Sequence, residues 1–184
     1  GHVNRRPWHH PESDQIWATC ERLDIPISFH GGGQTYLRPD YSMEVFDKLM
    51  MWHVFNQPLG IQAVLTSFTS GGVIHRHPKL RAALLEGNCG WAPWFVQRLD
   101  EHWEWVGAMD APELDRPPSE YFLSNCFLGV EADEDTVKYY VDAFGDDAGI
   151  RLVLHLTSAT AIPTDALVLP MADALLAGHG SIEV

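Results

Sequence analysis

The chain has 184 residues, 46% of them apolar and 20% charged, a composition that suits one soluble globular domain rather than a disordered chain. Its 25 acidic against 12 basic residues give a formal charge of −13, a field that repels phosphate backbones and argues against nucleic acid as a partner. No apolar run reaches the roughly 18 residues of a membrane span and no signal pattern opens the chain, so a cytoplasmic protein without membrane partners is expected.

Residues 1–12 (GHVNRRPWHHPE) are polar, aperiodic and Pro-bearing, and read as an entering loop in which His9 and His10 are solvated. Ser13 or Asp14 is placed to cap a helix to about Leu23, with Ile16, Trp17, Cys20 and Leu23 on one face. Ile25 to His30 is a short apolar run that predicts a strand buried on both faces, as in a parallel sheet. It delivers one imidazole to its C-terminal end, and Gly31, Gly32 and Gly33 then let the backbone turn sharply. Ser42 is placed to cap a helix through Val54, and Pro58 to begin a second through about Ser67, which Gly71-Gly72 ends.

Leu80 to Glu86 reads as a second buried strand with Glu86 at its end and Gly87 to Gly90 as the following turn. A helix is predicted from about Trp91 to Val106, burying Trp91, Trp94, Phe95 and Leu99, then a Pro-rich connection over 107–120. Asn125 to Glu131 is a third strand, Asp133 caps a helix to about Phe144, and Arg151 to Leu154 opens a fourth strand. Strands alternating with amphipathic helices indicate βα units and a parallel sheet. A closed eight-stranded barrel takes roughly 250 residues, so four strands are about half of one, and the chain reads as a single domain over 1–184. Cys20, Cys89 and Cys126 are odd in number, widely spaced and free of any CxxC pair, which predicts reduced thiols.

On these residues alone His30 is either a ligand or catalytic group at a strand mouth, or a hydrogen-bonded loop residue. His75 and His77 have HxH spacing but precede a strand instead of ending one, and His53 lies within a predicted helix.

The stretches LDIPISFHGGG, GGVIHRHPKLRAALLEGNCGWAPWFVQRLDE, PSEYFLSNCFLGVE and FGDD…RLVL, in this order, give the chain its resemblance to a known family. Residues from about Arg6 to Leu154 resemble the C-terminal half of the amidohydrolase-related metal-dependent hydrolases. That family includes aminocarboxymuconate-semialdehyde decarboxylase, resorcylate decarboxylases and pyrone-dicarboxylate hydrolase. The resemblance implies a (β/α)8 TIM-barrel fold present as a partial barrel, about strands 5–8, with a divalent metal, zinc by expectation, at the C-terminal mouth. It implies that His30 ends the fifth strand as a metal ligand. Many members end the sixth strand in His-Gly-Gly; here Glu86-Gly87-Asn88 stands there, so a carboxylate would ligate the metal, hold water or act as base. The alternative for Glu86 is an ion pair with Arg81 or Arg76. Arg98, on the next helix, would meet a substrate carboxylate or simply be solvated.

Two parts of the family pattern are missing. The His-x-His of the first strand would lie upstream of Gly1, and the Ser-Asp-Tyr-Pro-His-like run that ends the eighth strand does not follow Leu154. Residues from about 155 to 184 are either a divergent tail, with a helix over Thr164 to Ala177, or the product of a shifted reading frame. Regrouping compatible codons one nucleotide upstream gives Ala-Ser-Asp-Phe-Arg-His-Gly-Asp-Ser directly after Leu154. The expected function is metal-dependent hydrolysis of a small molecule. Non-oxidative decarboxylation of an aromatic or unsaturated acid is one alternative, and a non-catalytic fragment lacking a complete metal site is another. Open strand edges would favour self-association into a homo-oligomer.

Overall fold

A computed structural model of the chain describes residues 2–3, 6–30, 46–145 and 151–155. The glycine run after His30, the expected cap at Ser42 and the tail from 156 onward lie outside the described residues.

The entering segment is not wholly irregular. β1 (His2–Val3) pairs antiparallel with β2 (Arg6–Pro7), and a 3-10 turn at Pro11–Ser13 leads into α1 (Asp14–Leu23). His10 takes part in that turn, its Nδ1 accepting from the Glu12 amide at 3.3 Å. α1 runs where its periodicity placed it, although Ser13 caps it without a side-chain hydrogen bond. Asp24, at φ 55°, ends it in the left-handed conformation, and its amide closes on the carbonyls of Cys20 and Glu21. Trp17 is buried and Cys20 half-buried, whereas Ile16 and Leu23 are exposed.

Four strands form one parallel sheet in the order β3 (Ile27–His30), β4 (Ala82–Leu85), β5 (Cys126–Glu131), β6 (Leu152–His155). Ile27 pairs with Ala82 and Phe29 with Leu84, then Ala82 with Cys126 and Leu84 with Leu128, which puts these residues on one face. That face meets the helices. Phe29 packs with Trp8, Trp17 and Phe68 at ring separations of 5.1 to 6.2 Å, and Phe122, Tyr140 and Phe144 make a second aromatic cluster. The opposite face carries Ser28, His30, Ala83, Leu85, Phe127, Gly129 and Glu131. Its β3 residues Ser28 and His30 are exposed, so β3 is covered on one face and not on both as its composition suggested.

The two helices expected on either side of Pro58 are one. α2 spans Leu49–Phe68 with Pro58 inside. Proline removes one amide and leaves the carbonyl four residues earlier, at Val54, without its partner, a cost of about 3 kcal/mol in a helix interior. Val54 is exposed, so water can take that carbonyl, and burial of Ile61, Val64, Leu65 and Phe68 just beyond carries the helix through. A short α3 (Val73–Arg76) follows, entered through Gly72 at φ 73°.

α4 (Ala92–Asp110) outruns its predicted end, burying Ala92 and Val96 while Trp94 stays exposed. Within the Pro-rich connection a further helix, α5 (Pro118–Asn125), begins on a proline at its first position, where no amide is needed. α6 (Val137–Phe144) starts after Thr136, not at Asp133. No described helix is long and apolar enough to cross a membrane.

Candidate functional site

Parallel sheets gather chemistry at the C-terminal ends of their strands, because the turn into each helix opens there. In this chain β3 ends on His30 and β4 on Leu85, its register partner, with Glu86 the first residue beyond. Glu86 adopts φ 59° and Asn88 φ 58°, so two non-glycine residues of one short loop sit in the left-handed region. Such strain costs of order 1 kcal/mol or more per residue and concentrates at functional sites.

The geometry brings two of the three sequence candidates together. His30 Nδ1 lies 3.0 Å from Glu86 Oε2; the His30 side chain is 56% exposed and that of Glu86 18%. The pair is close enough for a charged contact but is not aligned as a hydrogen bond, and Glu86 Oε2 is buried with no hydrogen-bond partner. A buried carboxylate oxygen in that condition loses hydration without compensation. The ion pair expected as the alternative for Glu86 does not form. Arg81 pairs with Asp24 at 2.9 Å and Arg76 with Asp14 at 2.9 Å.

Arg98 is on the exposed side of α4, its Nη1 3.3 Å from Glu101 Oε2, and its carbonyl 2.8 Å from His102 Nδ1. Three further histidines, His53, His75 and His77, have structural partners. His53 Nε2 is 3.2 Å from Gln57 Nε2, and His75 Nδ1 is 2.9 Å from the Tyr121 hydroxyl, which donates to Asp115 at 2.6 Å. Burial first, and that carboxylate second, push the Tyr121 phenol up to about 12. His77 is buried between Asp14 and Glu21, so His75 and His77 serve different contacts and make no HxH pair. All three cysteines are free thiols; burial raises Cys126 to about 12 and Cys89 higher still, which keeps both protonated and unreactive.

Sequence reasoning missed Glu134, whose carboxylate accepts from the amides of Cys89 and Gly90 in the loop after Glu86. The signal lay in the acidic run EADED after the third strand, where Asp133 was expected to cap a helix. An open cleft of about 420 Å³ between α4, α5 and α6, lined by Pro93, Val96, Asp100, Glu104, Ser119 and Phe144, contains none of the sequence candidates.

As donors, the His30 imidazole and the Glu86 carboxylate suit a divalent cation, and the orphaned Glu86 oxygen is an atom such a cation would satisfy. Catalytic zinc takes three protein ligands as a rule. Among the described residues no group of three His, Cys, Asp or Glu side chains is placed to hold an ion, so this pair is a partial donor set.

The fold has clear counterparts among solved structures, which include amidohydrolases and decarboxylases built on the TIM barrel. An amidohydrolase from Mycobacterium avium subsp. paratuberculosis superposes with a TM-score of 0.71 at 19% identity, over 96% of this chain and 42% of that one. The 5-carboxyvanillate decarboxylase LigW from Sphingomonas paucimobilis gives 0.66 at 15% identity, over 97% of this chain and 57% of its own. A 5-carboxyvanillate decarboxylase from Novosphingobium aromaticivorans, complexed with manganese, gives 0.64 at 19% identity over 86% and 45%. The chain therefore spans about half the length of these structures, and the likeness is one of fold. No family model matches the chain. No curated protein matches its sequence either.

Proposed function

We propose that this chain is part of a metal-dependent enzyme of the amidohydrolase type, corresponding to about strands 5–8 of the barrel, with His30 as metal ligand and Glu86 as ligand or base. The observation that carries this reading is the 3.0 Å approach of His30 to Glu86, a half-buried residue at positive φ whose Oε2 is buried without a hydrogen bond, at adjacent strand ends. When bound, the ion supplies Lewis acidity toward a substrate carbonyl or carboxylate. Glu86 holds an anionic oxygen at the mouth and can accept a proton there; His30 stands beside it on the more exposed side. Further ligands would come from outside the described residues. Arg98 is engaged by Glu101, and the proposed site consists of His30 and Glu86.

The reaction proposed is hydrolysis of a small molecule. A second reading, non-oxidative decarboxylation of an aromatic acid, draws support from the 5-carboxyvanillate and 2,6-dihydroxybenzoate decarboxylases among the similar structures. Zinc was the metal expected from the sequence, but several of the similar structures hold manganese, so manganese is the first ion to test.

The test is calorimetric titration of the 184-residue chain with Mn²⁺ and Zn²⁺, beside His30→Ala and Glu86→Gln. Loss of either donor should weaken binding by about tenfold or more; equal binding in all three proteins sinks the site. Turnover of lactones and amides, against CO₂ release from hydroxybenzoic acids, then separates the two reactions.

A further inference from the structure

Two left-handed non-glycine residues within the turn Glu86 to Gly90 persist only if the surroundings enforce them. Part of the enforcement is local. Trp91 Nε1 donates to the Gly87 carbonyl at 2.7 Å, and Gly87 rests so closely on Ile61 that an added Cβ would come within 2.7 Å of its Cγ1.

The rest comes from across the sheet. Glu134 Oε1 accepts the amides of Cys89 at 2.8 Å and Gly90 at 2.9 Å, together with the Thr136 hydroxyl at 2.8 Å. Burial alone would raise the carboxyl's pKa, but the bonds from Cys89, Thr136 and Gly90 outweigh it and hold the value below the ordinary range. The group is thus anionic at neutral pH and its bonds are charge-assisted. Glu134 is itself fixed to the end of β5, its amide donating to the Glu131 carbonyl at 3.2 Å. One carboxylate therefore ties the loop after β4 to the loop after β5, three and four residues beyond Glu86.

We infer that Glu134 is a positioning residue, whose carboxylate fixes the turn Gly87 to Gly90 in the shape that sets Glu86 beside His30. This rests on the proposed role of His30 and Glu86 as metal donors. Glu134 need not touch substrate or ion; it acts through the backbone of the loop it holds.

The experiment compares the full chain with Glu134→Ala and Glu134→Gln, the second keeping an acceptor oxygen without the charge. NMR reads amide exchange at Cys89 and Gly90 and the nuclear Overhauser contact between the His30 ring and the Glu86 side chain. Mn²⁺ affinity is read alongside. In Glu134→Ala the two amides should exchange about tenfold faster or more while Leu84 and Leu128 keep their protection. The His30–Glu86 contact should weaken or vanish, and Mn²⁺ affinity should fall by about tenfold. Glu134→Gln should fall between, and it carries the test if the alanine variant fails to fold. A retained His30–Glu86 contact alongside released amides overturns the inference, as does unchanged Mn²⁺ affinity in a protein whose binding requires His30 and Glu86. If the parent chain binds no Mn²⁺, the proposed function fails on its own, and the nuclear Overhauser contact alone then decides for or against Glu134.

Discussion

Two regions of this molecule place a histidine beside carboxylates, and their settings differ. His77 lies between α1 and α3, its Nδ1 3.5 Å from Glu21 and its Nε2 3.7 Å from Asp14, with a side chain only 11% exposed. Both carboxylates are already engaged. Arg76 makes a forked contact with Asp14 at 2.9 and 3.0 Å and reaches the carbonyls of Gly71 and His9, while Glu21 accepts the Lys79 amide at 2.7 Å. These contacts close the packing of one helix against another.

At the sheet mouth, by contrast, the carboxylate belongs to a strained turn, one of its oxygens is buried without a hydrogen bond, and the imidazole beside it is largely exposed. His77 Nε2 is itself buried without a hydrogen bond, so the contrast lies in the carboxylates: Asp14 and Glu21 serve closure, whereas one oxygen of Glu86 has no hydrogen-bond donor. What separates these carboxylates is the number of hydrogen-bond donors around them: the Arg76 guanidinium for Asp14, the Lys79 amide for Glu21, and none for Glu86 Oε2. A carboxylate that is already saturated stabilises; one held short of partners is available to a ligand.

The comparison can be broken at its shared support. Trp17 stands on α1 between Asp14 and Glu21 in sequence and packs on Phe29, next to His30. Trp17→Ala should cost about 3–5 kcal/mol and loosen both regions at once, read by chemical denaturation. A loss confined to one region would show that they do not share a core.

Arg76→Ala should act on the helix clasp alone. The partial exposure of both groups keeps the expected loss to about 1–2 kcal/mol, with Mn²⁺ binding at the mouth unchanged.

Glu86→Gly sharpens the contrast with a change of opposite sign. Relief of the positive φ and removal of the orphaned oxygen should stabilise the chain by about 0.5–1 kcal/mol, raising Tm by about 2–4 °C per kcal/mol, while divalent-ion binding falls. A drop in Tm would mean that Glu86 is a structural residue after all.

The smallest effect expected is on the acid limb of stability. The folded-state pKa of Glu134 lies below its unfolded value, because the hydrogen bonds it accepts outweigh burial. Its contribution is therefore complete above about pH 4.3 and is lost as pH falls through the folded-state value. Glu134→Gln should flatten that limb, measured as denaturation midpoints between about pH 6 and 3.

The sequence by itself determined the order along the chain of the four strands of the parallel sheet, the delivery of His30 and Glu86 to strand ends, and the placement of α1 and β5. Each of these follows from local patterning, since an apolar run closed by a turn carries its own direction. Tertiary structure alone decided that α2 passes through Pro58, that Ser28 and His30 face away from the helices, and that Asp24 and Asp14, not Glu86, pair with Arg81 and Arg76. It also decided that Glu134 holds a loop 44 to 45 residues earlier in the chain. The physical reason is the same in each case. Burial beyond a proline, the choice of ion-pair partner and the anchoring of a strained turn depend on groups brought together from distant parts of the chain, and no short window of sequence contains both partners.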